Sequence, residues 1–338
     1  MASIKDIAEA VGVSPSTVSR VINGKSYVNE ATRQKVQDML ARTGYQSNAL
    51  AKSLKLRRSN TICLMLPSID NLIFPAITRG VEAVARKHGF MVVLCNTDED
   101  CEAENVYIEK MKARWIDGFL LCCNAGHHSS GRKLREEGFP VVIANRFTEE
   151  DVRVVDTVAV DNFRAAYTAT RYLLRSGRRR IALAYGREEL FLYRERYRGY
   201  CQALQDAGVP YDDRLVLREV NNGTDSFYQL TRNAMALPDP PDAFFATSDP
   251  KAFVILHALH ELGVRIPEQV SVMGFDNVGL SSMVEPPLST ISQPLREIGV
   301  AAAKSLIRQI EYKDKNGELP PPVQTVLDVD LIIRGSTD

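Results

Sequence analysis

Apolar positions recur at two different spacings along the chain, and the change divides it into a short head and a long body. Through about residue 45 they recur every three to four residues in short blocks, which is typical of small amphipathic helices. From Thr61 onward, short apolar runs alternate with longer amphipathic stretches, which is typical of strands alternating with helices. The pattern therefore predicts a small helical domain followed by an α/β domain.

The head carries capping signals for three helices, the first two joined by a tight turn at Gly12. Ser3 and Asp6 have the spacing of a capping box, and Ser14 before a proline is a typical helix start. Asn29 is a capping residue for the third helix. The second and third helices are predicted to span Pro15–Ile22 and about Glu30–Arg42.

The second helix predicts a surface that reads DNA. Its apolar residues point inward, and small polar side chains with one arginine remain outside, which suits insertion into the major groove. Arg20 is the best candidate for a base contact because arginine pairs with guanine through two hydrogen bonds; the alternative is that it contacts phosphate only. The predicted DNA-binding residues of the head are Ser14, Pro15, Ser16, Thr17, Ser19, Arg20 and Asn23.

The distribution of charge supports this interpretation. The 338 residues include 42 basic and 42 acidic side chains, so the net charge is zero. Residues 1–60 nevertheless hold ten basic and four acidic residues, a net charge of +6, and the remainder carries −6. A basic head on an acidic body concentrates the attraction for phosphate at one end, although a solvated charged face without a partner would show the same count.

The sequence lacks the motifs that are typical of several other classes of protein. The six cysteines show no CxxC spacing, and four of them lie in apolar runs, so we expect small reduced core residues. The histidines show no metal-ligand spacing, and motifs for dinucleotides, phosphate loops and hydrolase nucleophiles are missing, so we expect no metal, no cofactor and no catalytic site. Without a signal peptide or a long apolar run, a cytoplasmic location and no membrane contact are expected.

In the body, the alternation of strand and helix candidates predicts two parallel sheets covered by helices on both faces, and therefore two lobes. Helices are expected near Ile77–His88, Ala103–Arg114, Phe163–Ser176 and Ala252–Leu262. The predicted strands are Ile62–Leu66, Met91–Cys95, Phe119–Cys122, Val141–Ala144, Val158–Val160, Ile181–Ala184, Ala243–Ala246 and Val270–Gly274. Ligands bind at the carboxyl ends of such strands, which predicts a site in a cleft between the lobes.

Several motifs at fixed spacing closely resemble the lactose/galactose repressor (LacI/GalR) family of bacterial transcription regulators. They are GVSPSTVSRVING, TRQKV, GYQSNALAKSL and the basic linker before TICLMLP. The resemblance implies a hinge helix that folds when two subunits bind the operator, with Leu54 wedged into the minor groove; packing within the hinge-helix pair is the alternative for Leu54. The residues implied for DNA contact in this segment are Asn48, Ala51, Lys52, Leu54 and Lys55.

The resemblance also implies domain boundaries. A helix-turn-helix domain covers residues 1–46, a hinge helix and linker cover 47–60, and a domain like the periplasmic binding proteins covers 61–338. Its N-terminal lobe is expected over 61–160 plus 292–321 and its C-terminal lobe over 161–291 plus 322–338. The third crossing between the lobes is expected at Pro320–Pro322.

Five residues of the body are implied as effector ligands. Phe74 fits an aromatic wall, although Leu72 replaces a proline common in relatives; Arg196 fits the arginine that grips the effector, and Asp249 fits an acceptor for sugar hydroxyls. Each of them has a structural alternative, a contact between lobes or a helix cap. An Arg/Asp pair suits a polyhydroxylated ligand, and extra arginines would also suit a sugar acid or phosphate. The five are Phe74, Arg146, Arg196, Asn222 and Asp249.

Three functions each account for some of these features. A homodimeric regulator, switched by an effector and bound to palindromic double-stranded DNA, accounts for both the head and the body. A transport receptor would account for the body alone, and a sugar-modifying enzyme would need an acid/base or phosphate-binding constellation that the sequence does not offer. The sequence therefore favours the regulator.

Overall fold

The computed structural model describes residues 3–22, 27–44, 58–114, 116–123, 130–219 and 225–338. The chain separates into two compact units, Met1–Ser59 and Asn60–Asp338. They correspond to the head and the body that the spacing of apolar residues predicts.

The head contains helices α1 (Ile4–Val11), α2 (Pro15–Ile22) and α3 (Glu30–Thr43). Both halves of the capping box are present at α1, since Asp6 Oδ2 accepts from the Ser3 amide at 2.8 Å and Ser3 Oγ accepts from the Asp6 amide. Asn29 caps α3 through its side-chain oxygen. The predicted helix starts are thereby confirmed.

A small apolar core holds the three helices of the head together. Gly12 and Gly44 adopt left-handed conformations at the ends of α1 and α3, where glycine avoids the Cβ penalty. The side chains buried at the centre are Ile7, Ala8, Val18, Val21 and Val36.

The body contains two six-stranded sheets within the part of the chain that the structure describes. The strands of the first sheet are all parallel and lie in the order β11-β5-β4-β3-β1-β2. Its strands are β1 (Thr61–Leu66), β2 (Met91–Asn96), β3 (Gly118–Leu121), β4 (Val141–Ala144), β5 (Asp156–Val160) and β11 (Gln324–Leu327). Helices α4 (Phe74–Lys87), α5 (Cys101–Lys112), α6 (Ser130–Glu136) and α11 (Leu295–Asn316) belong to the same lobe.

The second sheet has the order β12-β10-β9-β8-β6-β7, and only its edge pair β10/β12 is antiparallel among the described strands. Its strands are β6 (Ile181–Tyr185), β7 (Val216–Arg218), β8 (Ala243–Ala246), β9 (Ser271–Asp276), β10 (Ser289–Ser292) and β12 (Asp330–Ile332). Helices α7 (Asn162–Arg175), α8 (Phe191–Asp206), α9 (Ser226–Met235) and α10 (Asp249–Glu261) complete the second lobe. The predicted two-lobed α/β architecture is confirmed.

The expected lobe boundary near the C-terminus was wrong. Residues 322–338 were assigned to the second lobe, but strand β11 pairs with β5 in the first sheet, with Thr325 beside Val158. The chain therefore crosses for the third time at residues 328–329, after the strand, and the proline run at 320–322 stays in the first lobe. The other two crossings follow β5, at Asp161, and β10, at 293–294.

Two glycines allow α4 and α11 to pack unusually closely. A Cβ placed on Gly80 would lie 2.1 Å from the Arg296 carbonyl oxygen, and one placed on Gly299 would lie 2.1 Å from the Ile77 carbonyl oxygen. Because both obstacles are backbone atoms, any larger residue would push the helices apart. The close packing fixes α4, whose first residue is the candidate ligand Phe74.

Candidate functional site

The first turn of α2 presents hydroxyl groups to solvent. Ser14 and Ser16 are exposed, and their Oγ atoms lie 2.7 Å apart. The Thr17 hydroxyl lies 2.9 Å from Ser14 Oγ, which also accepts from the Thr17 amide at 3.2 Å. Pro15 is exposed and Ser19 is half-buried. This end of the helix is therefore polar and unobstructed within the head, as major-groove reading requires.

Arg20 is exposed on α2, on the side away from the buried residues Val18 and Val21. Its guanidinium is therefore available to a partner outside the head's core. The other predicted DNA contacts and one effector candidate lie outside the described residues. These are Asn23, Asn48, Ala51, Lys52, Leu54, Lys55 and Asn222.

In the body, the four remaining effector candidates lie around the carboxyl ends of the strands. Phe74 begins α4 and is fully buried, and Arg146 follows β4. Arg196 lies on α8, and Asp249 is the first residue of α10, after β8. The Arg146 guanidinium carbon lies 5.9 Å from the centre of the Phe74 ring, and its positive charge contributes to lowering the pKa of Arg196. The structure thus gathers residues from both lobes.

Arg196 is almost completely buried and is fixed from several sides. Its Nε donates to Asn162 Oδ1 at 2.8 Å, and its Nη1 donates to the Thr247 carbonyl at the end of β8. The guanidinium carbon lies 3.5 Å from the centre of the Phe275 ring and 5.5 Å from that of Tyr193. Burial lowers the pKa of Arg196, and nearby carboxylates oppose this effect. The side chain therefore has one orientation at the junction of three strand ends.

Asp249 is bound entirely by groups of its own lobe. Its Oδ2 accepts from the Val278 amide at 2.9 Å and from the Ser281 hydroxyl at 2.6 Å. Its Oδ1 accepts from the Thr290 hydroxyl at 2.6 Å. Burial raises the pKa of Asp249, and these hydrogen bonds counteract the shift. The geometry gives the carboxylate a clear structural role, joining α10 to the loop after β9 and to β10.

Asp276, at the end of β9, is a site residue that the sequence analysis missed. It is buried, has a φ of 125°, and accepts from Gln293 Nε2 at 2.6 Å through Oδ1. Burial raises its pKa to about 7, while the charge of Arg196 pulls in the opposite direction. Gln293 Oε1 is also buried and has no hydrogen-bond partner among the residues that the structure describes, so it is an acceptor available to a ligand hydroxyl.

A buried lysine also escaped the sequence analysis. Lys251, in the first turn of α10, lies 3.3 Å from Glu219 Oε2, and its ammonium donates to Ser248 Oγ at 3.3 Å. The ammonium lies 4.7 Å from the centre of the Tyr193 ring, the same ring that faces Arg196. Tyr193 therefore lies between two buried cations and is a further aromatic residue of the site, for which the sequence analysis named only Phe74.

Glu99 connects the lobes. Its carboxylate accepts from Arg146 Nη1 at 2.7 and 2.9 Å and from Arg187 Nη1 at 3.1 Å. Glu99 and Arg146 belong to the first lobe, whereas Arg187 follows β6 of the second. Burial lowers the pKa of Arg146, but the attraction of Glu99 outweighs it and the net shift is upward. Phe147 and Phe191 form a second contact between the lobes, with ring centres 5.9 Å apart.

No group of three or more His, Cys, Asp or Glu side chains in the described ranges is placed to hold a metal ion. Among the same residues, no helix has the length and apolarity needed to cross a membrane.

Two family models match the chain, one for each unit. Residues 3–48 match the bacterial regulatory proteins of the lacI family. Residues 59–331 match the periplasmic binding proteins and sugar binding domain of the LacI family. Together the two models cover the head and nearly all of the body.

Curated proteins and solved structures agree with these models. The chain is 34% identical to the HTH-type transcriptional repressor CytR of Escherichia coli K12, over 99% of this chain and 96% of that protein. It is 33% identical to the ribose operon repressor of Halalkalibacterium halodurans, over 93% and 92%. A complex of the transcriptional regulator CelR with cellobiose has a TM-score of 0.73 at 31% identity, covering 99% of this chain and 100% of that one. The lac repressor dimer bound to operator has a TM-score of 0.85 at 23% identity, over 99% of both chains, which shows the shared fold.

Proposed function

The chain belongs to the LacI family of bacterial regulatory proteins, and from that membership we propose that it is a dimeric repressor of a carbohydrate-related operon. The effector binds between the lobes and alters the affinity for a palindromic operator. One observation carries the proposal: a helix with an exposed polar first turn and a two-lobed domain with a buried arginine at its strand ends occur in one chain.

DNA recognition is assigned to α2. The side chains at its start, from the exposed Ser14 to the half-buried Thr17, and the exposed Arg20 beyond them supply donors and acceptors for base edges. The basic excess of residues 1–60 supplies attraction to phosphate, so operator affinity falls steeply as salt increases. Leu54 is assigned to the central minor-groove wedge on the family resemblance alone. Because it binds operator DNA, we propose that the protein acts on the chromosome in the bacterial cytoplasm.

Effector binding is assigned to the cleft. Arg196 offers a fixed donor, and Tyr193 and Phe74 offer aromatic surface. Gln293 offers an acceptor that has no partner within the described part of the chain. Aromatic faces combined with a few fixed polar groups suit a sugar or a sugar derivative. The relatives are transcriptional regulators, among them a ribose operon repressor, and we assign no catalysis to this chain.

Dimer formation is supported by apolar residues that the body exposes. Met91 and Leu94 are exposed on β2, an edge strand of the first sheet, and Met283 and Leu280 are exposed in the second lobe. Exposed apolar side chains on both lobes suit a partner surface. Two heads held by such a dimer would bind two half-sites related by symmetry, which is why the operator is proposed to be a palindrome.

In the first step of the experiment, the purified protein selects the duplexes that it binds from a random pool. In the second step, the enriched sequence is footprinted. The proposal expects a palindrome that is protected on both halves, with release or tighter binding on addition of one member of a panel of sugars. Protein with Ser16 and Arg20 both changed to alanine is the control, and it should protect nothing. Enrichment of no sequence at modest salt, or turnover of a sugar by the protein, would contradict the proposal.

A further inference from the structure

Glu99 stands where an anionic ligand of the cleft would be expected. Two arginines, one from each lobe, direct guanidinium groups at the same carboxylate. Such a pair of guanidinium groups is the arrangement that proteins use to bind a carboxylate or a phosphate. Here the chain itself supplies the anion.

The ion pairs of Glu99 are continuous with the proposed effector site. Arg146 is 7% exposed and lies 5.9 Å from the Phe74 ring centre, and its positive charge adds to the burial that lowers the pKa of Arg196. Tyr193 in turn faces Arg196. A ligand held between these aromatic rings would therefore meet the Glu99 carboxylate, together with its two arginines, at one end of the cleft.

The surroundings of Glu99 keep its carboxylate in place. Glu99 has a φ of 62° and the preceding Asp98 a φ of 50°, which turns the chain sharply after β2. The Glu99 amide donates to the Pro67 carbonyl at 2.9 Å, so the turn is also tied to the end of β1. The acid is thus presented by fixed backbone, and its ion pair with the buried Arg146 is shielded from solvent more than an ordinary surface pair.

We propose that Glu99 determines the specificity of the cleft by occupying the anion position between Arg146 and Arg187, so that the effector is an uncharged compound. The inference rests on the proposed function, since it concerns the ligand of that same cleft. A sugar acid or sugar phosphate would bring a second negative charge beside Glu99 and would have to displace the carboxylate from both arginines. A neutral polyhydroxylated compound leaves the three ion-paired groups undisturbed.

The test measures binding of inorganic phosphate to the full chain by calorimetry. Glu99→Gln keeps the size of the side chain but removes its charge, and Glu102→Gln, an exposed acid three residues away, is the matched control. We expect phosphate to bind wild type and the control equally weakly. The Glu99→Gln variant should gain at least about tenfold in phosphate affinity over wild type, the effect of one charge-assisted pair.

The double variant Glu99→Gln/Arg187→Gln localises the effect. It should lose the gained phosphate binding, because one of the two guanidinium groups is missing. Phosphate binding by wild type as tight as by Glu99→Gln, no gain in the variant, or a gain that persists in the double variant would each overturn the proposal. None of these measurements uses the operator or the natural effector, so they remain informative even if the proposed regulatory function fails.

Discussion

Arg196 and Phe275 are in direct contact, with the guanidinium carbon 3.5 Å from the centre of the aromatic ring. The ring belongs to β9 and is buried in the core of the second lobe, so it is a rigid base for the cation. Stacking on the ring and hydrogen bonds to Asn162 and Thr247 together fix the direction of the remaining N–H groups. A ligand would therefore bind to donors that are already oriented.

Arg196→Lys is predicted to weaken effector binding and to destabilise the protein. Lysine retains the charge but cannot stack as a planar group or bond to Asn162 and Thr247 at the same time. We expect the affinity for the effector to fall at least about tenfold, and the free energy of unfolding to fall by about 1–3 kcal/mol. Calorimetry and urea unfolding measure the two effects. Arg198→Lys, on the exposed side of the same helix, is the control and should change neither.

Asp249→Asn is predicted to act mainly on stability. The carboxylate accepts from Val278, Ser281 and Thr290, and an amide has only one oxygen to offer these donors. Leaving a buried donor without an acceptor costs about 1–3 kcal/mol, so we expect a loss of at least about 2 kcal/mol in the free energy of unfolding. The exposed Asp328→Asn is the control. Wild-type stability combined with lost effector binding would instead show that Asp249 acts as a ligand.

The buried carboxyl of Asp276 predicts a dependence of stability on pH. Its pKa is about 7 in the folded protein and 3.8 without the protein environment, so between these values the folded state holds one proton more. The free energy of unfolding therefore falls as pH rises from about 4 to about 7, by at most about 1.4 kcal/mol per pH unit from this group.

Asp276→Asn removes this contribution while keeping an acceptor for Gln293. Urea unfolding of wild type and variant at several pH values gives their difference, in which the other titrating groups cancel. We expect the variant to gain stability relative to wild type as pH rises through this window. A difference that stays constant from pH 4 to pH 7 would show that Asp276 is ionised throughout.

Arg20→Ala tests the assignment of α2 to base reading. Loss of a bidentate contact to guanine should cost about 1–3 kcal/mol of operator affinity and relax the preference at one base pair of each half-site. Gel shifts with the selected palindrome and with its single-base variants measure both effects. Lys35→Ala, an exposed cation of α3, is the comparison. If Arg20→Ala lowers the affinity for every duplex by the same factor, Arg20 contacts phosphate and not a base.

The parts of the fold that could be predicted from sequence were those with a local signal. The strands predicted in the centre of each sheet, such as β3 and β8, have every residue buried and appear as short apolar runs. The strands not predicted include edge strands: β11 has the sequence QTVL with alternating exposed and half-buried residues, and β12 has three residues. The strand that pairs with β11 is β5, and paired residues such as Gln324 and Thr157 are 167 positions apart in the chain (324 − 157). The spacing of apolar residues gives no information about a pairing over that distance.

The site was predictable only in part, for a related reason. Arg196 lies in a recognisable motif, whereas Asp276 is a single acid after an apolar run and Glu99 lies between Asp98 and Asp100 in a polar segment, two positions where solvent-exposed acids are also common. Their importance comes from neighbours distant in sequence: Gln293 and Arg196 for Asp276, and Arg187 for Glu99. The available signal was an acid at or shortly after the end of a predicted strand, and this signal does not separate Asp276 and Glu99 from exposed acids in similar positions.

The three places where the chain passes between the lobes limit how the lobes can move. Parallel connections of this kind suppress twisting and sliding and leave bending as the remaining degree of freedom. Asn162, next to the first connection, accepts a hydrogen bond from Arg196. Gln293, in the second connection, donates a hydrogen bond to Asp276. A compound that contacts Arg196 or Asp276 thus acts close to the pivot, where a small rotation produces a large displacement at the far rim of each lobe.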